Sequence, residues 1–289
     1  MRRPASVILA LALVGKGLLA LAVRNLALTG EAVPAWVPAP AILAVSCGLL
    51  LVSGGIGLFF RRTRMACACG LALYEFFSVV ARCPAVLRHP SRVGGWENLC
   101  EAVALFSGVL LLAARASPPG LAVAERMARG LFGGSCVVFG LSHFAFAELT
   151  AGMVPRWLPM RPALAYLTGI AHSVAGLAIV GRRLDHLAAA LEAIMLGLFV
   201  ALVHLPSLWT IPAPAWAPTA AEQWAELLIA LSLAGAAGAV ADSLRDDSLP
   251  GDPRAGAPSH LGATDERSSS PFEDTMPPRA PRHAGRLPV

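Results

Sequence analysis

The chain has 289 residues, 56% hydrophobic and 14% charged, with a formal charge of +5 and a mean hydropathy of +0.64. A soluble domain carries roughly 25% charged residues, so this composition excludes a water-soluble globular fold and leaves lipid to cover the surface. Residues 1–242 hold 17 Lys/Arg against 11 Asp/Glu; the basic excess lies between apolar segments, with no basic patch interleaved with aromatics, which excludes a nucleic-acid binder.

Spans of about 20 apolar residues cross a bilayer. Such spans are predicted near 4–26, 40–60, 65–85, 97–115, 127–148, 162–181, 185–206 and 220–241. The first could pass for a signal peptide, with Met1-Arg2-Arg3 before an apolar run and Ala20-Leu21-Ala22 as a cleavage site. Lys16 interrupts that run, and the internal repeat needs the segment, so it reads as the first helix.

After the first span comes Leu28-Thr29-Gly30-Glu31-Ala32-Val33-Pro34-Ala35-Trp36-Val37-Pro38. It returns 121 residues later as Leu149-Thr150-Ala151-Gly152-Met153-Val154-Pro155-Arg156-Trp157-Leu158-Pro159. At the same offset Leu43, Ala44, Gly48, Gly55, Arg61 and Arg62 match Leu164, Ala165, Gly169, Gly176, Arg182 and Arg183, giving 12 identities over residues 28–62 without a gap. Apolar similarity alone does not hold Pro, Trp and Arg-Arg in register. The fold class expected is an all-α membrane protein of about eight transmembrane helices, built as two tandem four-helix bundles. An even number of helices per copy implies a parallel pseudo-twofold axis. The units are 1–120, 121–242 and a tail, 243–289, too rich in proline, serine and charge to fold, hence a disordered cytoplasmic extension.

Arginines orient the spans. Arg2, Arg3, Arg61, Arg62, Arg64, Arg115, Arg126, Arg129, Arg182 and Arg183 fall on the N-terminal side, against Arg24, Arg82, Arg88, Arg92, Arg156 and Arg161 opposite. Both termini are therefore expected in the cytoplasm of a bacterium, with the chain in its inner membrane. All six tryptophans fall in or beside the outer loops, either as interface anchors or as a stiff, proline-rich cap over an outward-facing cavity; the motif residues are Pro34, Trp36, Pro38, Pro155, Trp157 and Pro159. The six cysteines form no CxxC pair and read as small packing residues.

Gly140-Leu141-Ser142-His143-Phe144, Val154-Pro155-Arg156-Trp157-Leu158-Pro159, Tyr166-Leu167-Thr168-Gly169-Ile170-Ala171 and Gly176-Leu177 resemble the DoxX family of small four-helix membrane proteins. The family takes its name from a subunit of thiosulfate:quinone oxidoreductase. The resemblance covers most of residues 127–206 and, more weakly, the first half, through its Val-Pro-x-Trp-Val-Pro loop and Gly54-Gly55-Ile56-Gly57-Leu58. It implies an accessory or quinone-associated subunit, with quinone as the cofactor and redox subunits as partners. This sequence departs from the family at His172, where members commonly carry a glutamate; the first copy has Leu51 there.

Ionisable groups at bilayer depth are functional candidates. Lys16, Glu75, His143, His172, Glu192 and, near the outer edge, His204 qualify. Lys16 and Glu75 form a structural ion pair or a proton site; His143 and His172 are packing residues or approach a quinone headgroup or a metal. Glu192 and His204, 12 residues apart, fall about 120° apart on an α-helix and do not share a face. Glu97, Glu101, Glu222 and Glu226 read as helix N-terminal carboxylates. No nucleophile–base set, phosphate loop or metal-ligand spacing is present, so a stand-alone enzyme is not expected and no catalytic residue is assigned. A small-solute transporter or channel, and a structural assembly protein, remain as alternatives.

Overall fold

The computed structural model describes residues 3–26, 39–117 and 121–247. The described residues are helical, with no strand among them. The first half holds α1 (Pro4–Val23), α2 (Pro40–Gly57), α3 (Arg64–Arg88) and α4 (Val93–Ala116). The second holds α5 (Ala122–Ala145), the short α6 (Ala147–Met153), α7 (Arg161–Val180), α8 (Asp185–Phe199) and α10 (Ala220–Asp247). Between α8 and α10 run a π-helical turn, Val200–His204, and a single α turn, α9 (Leu205–Ser207). Seven helices are long and apolar enough to cross a membrane, or eight if α5 and α6, bent by 95°, form one span.

Pro4, Pro40 and Pro162 stand in the first turns of α1, α2 and α7, where a missing N–H leaves no bond unmade. Leu49, Phe77, Leu141, Leu177 and Ile194 all point outward, each more than half exposed. An apolar surface of that extent belongs in lipid. Inside, small residues let backbones approach. A Cβ on Gly176 would stand 2.4 Å from the Gly133 carbonyl oxygen, which ties α7 to α5. A Cβ on Gly48 would stand 2.9 Å from the Gly17 carbonyl oxygen, which ties α2 to α1.

Within each half, helices adjacent in sequence pack side by side: α1 on α2, α2 on α3, α3 on α4, then α5 on α7, α7 on α8, α8 on α10. The closures cross over. α1 packs against α10 and α5 against α4, with α4 and α10 touching at the centre. The two halves therefore interlock, and α10, apolar around its whole circumference, is the most deeply buried span. One apolar core joins α4, α5, α7, α8 and α10; another joins α1, α2, α3 and α4.

Several boundaries move. α10 continues past 241 to Asp247, so residues 243–247 belong to a helix and not to the tail. The charges there are paired: Asp246 with Arg3 at 2.5 Å and with Arg115, and Asp247 with Arg129 at 2.5 Å. The hydrogen bond from Arg3 to Asp246 also raises that guanidinium's pKa above its ordinary value. Arg82, assigned above to an outer loop, lies inside α3 and is buried, its guanidinium donating to Ser78 Oγ and, at 3.1 Å, to the Ser78 carbonyl. Residues 248–289 and the loop bearing Pro34, Trp36 and Pro38 lie outside the described residues.

Candidate functional site

The close contact of α5 with α7 sets two histidines face to edge. The rings of His143 and His172 are 5.0 Å apart between centroids at 68°, with Phe139 and Phe199 packed against the imidazole of His172. His143 Nδ1 lies 2.9 Å from Thr168 Oγ1 and 3.3 Å from the Ala165 carbonyl. Thr168 donates its one proton to the carbonyl of Leu164 or Ala165, at 3.0 Å each. It therefore accepts from His143, so Nδ1 carries the hydrogen and Nε2 is left as an acceptor.

His172 is held from the other side. Its Nδ1 lies 2.6 Å from Glu192 Oε1, and both side chains are buried. A carboxylate on one ring nitrogen fixes the ring's orientation and leaves Nε2 for whatever enters. Glu192 Oε2 has no hydrogen-bond partner among the described residues.

Both histidines line a cavity of about 390 Å³ in the second half. Its walls include Phe139, Leu196, Phe199 and Leu233, and its polar edge carries Glu97, Glu101, Glu226, His204, Ser142 and Thr168. Among the described residues no lysine or arginine lines it. Ser142 Oγ and His204 Nδ1 are buried there without a hydrogen-bond partner among the described residues.

The acids overturn an earlier expectation. α4 begins at Val93, one turn before the span expected from residue 97, which carries Glu97 and Glu101 inward onto one face, four residues apart. Glu226 enters the cavity in the same way. Only Glu222 caps a helix: its Oε2 accepts from Thr219 N at 2.9 Å and Thr219 Oγ1 at 2.7 Å. The four-residue spacing of Glu97 and Glu101 was the signal that they share a face; nothing in the sequence said which face.

Glu192 and His204, expected on different faces, are both buried, and His204 lines the cavity while Glu192 is not among its lining residues. The π-helical turn carrying His204 is wider than an α turn and takes back part of the 120° offset. His204 then meets Trp216 edge-on, with ring centroids 5.6 Å apart.

The outer loop of the second half divides its labour. Pro155 and Leu158 line the cavity with Leu149 and Met153 of the α6 segment, while Trp157, 72% exposed, points away. In the first half Lys16 Nζ lies 3.9 Å from Glu75 Oε1, both side chains buried. That pair lines neither the second-half cavity nor the one at the Arg3 end. Glu101 of α4 stands between the regions, within electrostatic reach of Lys16 and Arg82 on one side and of Glu97 and Glu226 on the other. Among the described residues no group of three His, Cys, Asp or Glu is placed to hold a metal.

The site is a cavity with an imidazole–carboxylate edge, set among helices long and apolar enough to cross a membrane. No family model, curated protein or solved structure matches the chain.

Proposed function

We propose that this chain is an inner-membrane protein of the DoxX type that binds the headgroup of a lipophilic quinone or quinol in its second half, as an accessory subunit of a membrane redox system. The observation that carries the reading is the cavity itself: apolar walls sized for a ring, with two histidines oriented on its edge by Thr168 and by Glu192. With Glu192 on Nδ1, the Nε2 of a neutral His172 accepts a hydrogen bond from a quinol hydroxyl, and that of a protonated His172 donates one to a quinone carbonyl. The DoxX assignment rests on the residues quoted for it and on nothing else.

Two four-helix repeats are part of the same reading. The close contacts recur: Gly17 on Gly48 and Gly140 on Gly169, then Gly55 on Val14 and Gly176 on Val137. Arg64 and Asp185, which open α3 and α8, are 121 residues apart, whereas Pro84 and Pro206 near their ends are 122 apart. The π-helical turn of α8 accounts for the extra residue, since one inserted residue widens a single turn. Eight crossings follow from parity: Arg3 at the start of α1 bonds Asp246 at the end of α10, so both ends lie on one side, taken as cytoplasmic from the arginine bias.

The test is to purify the full chain in mild detergent from quinone-replete membranes, extract the lipids and measure quinone. About one quinone per chain is expected in the wild type and a large loss in His172→Ala. Absence of quinone from the wild type, with no thermal shift on adding a short-chain quinone, sinks the reading. The acids favour a second reading: with Glu97, Glu101 and Glu226 and no basic residue on the lining, the chamber suits a small cation on a transport path. Uptake of a cationic solute into proteoliposomes, without bound quinone, would select it.

A further inference from the structure

A second cavity, of about 220 Å³, opens at the opposite end of the first half, between α1, the α2–α3 turn and α4. Among the described residues, three arginines line it, Arg3, Arg64 and Arg115, and no acidic residue does. Each sits at a helix end: Arg3 precedes α1, Arg64 opens α3, and Arg115 is the next-to-last residue of α4. Helix ends of spans this long lie at headgroup depth. Val7, Ala10 and Leu112 of the wall lie about one turn or more toward the apolar interior, while Leu58 and Phe59 of the α2–α3 turn close its side. The cavity therefore has a cationic mouth and a hydrocarbon floor.

The arginines are not equally engaged. Arg3 and Arg115 share Asp246, and Arg3 also donates to the Asp242 carbonyl at 2.8 Å with its Nη1 3.8 Å from Asp242 Oδ1, so both guanidinium groups are already engaged. Arg64 donates only from Nε, to the Leu58 carbonyl at 3.2 Å, and its two terminal nitrogens meet no carboxylate among the described residues. Arg61 and Arg62 are exposed beside it and raise the local potential. A guanidinium held by Nε presents its other edge as a fork, the geometry that takes two oxygens of a phosphate.

We propose that this cavity is a binding site for one anionic phospholipid, its phosphate on Arg64 beside Arg3 and Arg115 and an acyl chain along Val7, Ala10 and Leu112. Basic pockets between transmembrane helices at the membrane surface take acidic headgroups on electrostatic grounds. The second half supplies an internal contrast. At the 121-residue register Arg64 becomes Asp185, whose Oδ1 accepts from the His186 amide at 2.9 Å. Of the basic residues near that end, Arg129 is buried and already committed to Glu125, Ser243 and Asp247, while Arg126, Arg182 and Arg183 are exposed. The site belongs to the first half alone.

The experiment is native mass spectrometry of the delipidated full chain, titrated with phosphatidylglycerol or phosphatidylcholine of the same acyl chains. Phosphatidylglycerol is expected to bind about tenfold more tightly, a difference of about 1.4 kcal/mol. Arg64→Gln should erase that preference while leaving the melting temperature unchanged, and the Arg61→Gln/Arg62→Gln double variant should keep most of it. Should Arg64→Gln fail to fold, Arg64→Lys, which keeps the charge but loses the fork, is expected to reduce the preference by several-fold. Equal binding of the two lipids overturns the proposal. So does a preference that survives loss of Arg64, or falls equally with Arg61 and Arg62. Complete displacement of lipid by millimolar inorganic phosphate would also overturn it, by assigning the arginines to a soluble anion.

Discussion

The two halves of this protein solve the same burial problem differently. In the first, Lys16 of α1 reaches across to Glu75 of α3 at 3.9 Å. In the second, His172 of α7 meets Glu192 of α8 at 2.6 Å beside a cavity of about 390 Å³. In the proposed repeat, with Gly17 matched to Gly140 by their glycine contacts, Phe139 corresponds to Lys16 and His172 to Leu51. Exchanging which helix carries the cationic partner moves the polar pair and leaves aromatic rings along the α5–α7 side of the cavity, with Glu97, Glu101 and Glu226 among its other lining residues. Arg82 and His204 extend the comparison: 122 residues apart, both buried, the first bonded to Ser78 and the second turned toward the cavity by the π-helical turn. The first half thus carries a buried ion pair away from either cavity, and the second a buried pair beside the larger cavity.

The comparison breaks hardest at the first-half pair. Lys16→Met or Glu75→Gln alone should destabilise the detergent-solubilised protein by about 3–5 kcal/mol, and the double variant should recover much of that, because the cost is an uncompensated buried charge. Strictly additive losses in a denaturant titration would show that the two groups are not coupled. Next come the glycine contacts. Gly55→Val and Gly176→Val should each cost about 1–3 kcal/mol through overpacking, and to similar extents, since both press on the first helix of their own half. A large effect in one half and none in the other would refute the shared register.

Smaller effects separate binding from stability. Glu192→Gln should weaken retention of quinone about tenfold by releasing His172, while Lys16→Met, in a sample still folded, should leave retention unchanged; equal losses in lipid extraction would dissolve the division between the halves. Smallest is Thr168→Val, which removes one hydrogen bond to His143, worth about 0.5–1.5 kcal/mol. It should weaken retention severalfold with little change in melting temperature, and a large drop in melting temperature would reassign Thr168 to packing.

Sequence by itself determined where the spans lie, because length and hydropathy are summed along the chain and the bilayer imposes both. It also carried the recurrence of Val-Pro-x-Trp-x-Pro and Arg-Arg, which is a property of the string. It could name Lys16, Glu75, His143, His172, Glu192 and His204 as ionisable groups inside spans, since a polar residue in an apolar run is visible wherever it points. What it could not do was choose partners. Pairing depends on the rotation of one helix against another, and in α8 a π-helical turn shifts that rotation for His204. The one-turn-earlier start of α4 likewise turned Glu97 and Glu101 from capping groups into cavity lining. The crossing of α1 onto α10 and α5 onto α4 was also decided in three dimensions, because spans of similar apolarity are interchangeable to the bilayer and the fit of small residues, such as Gly235 of α10 against the Leu9 backbone of α1, selects among them.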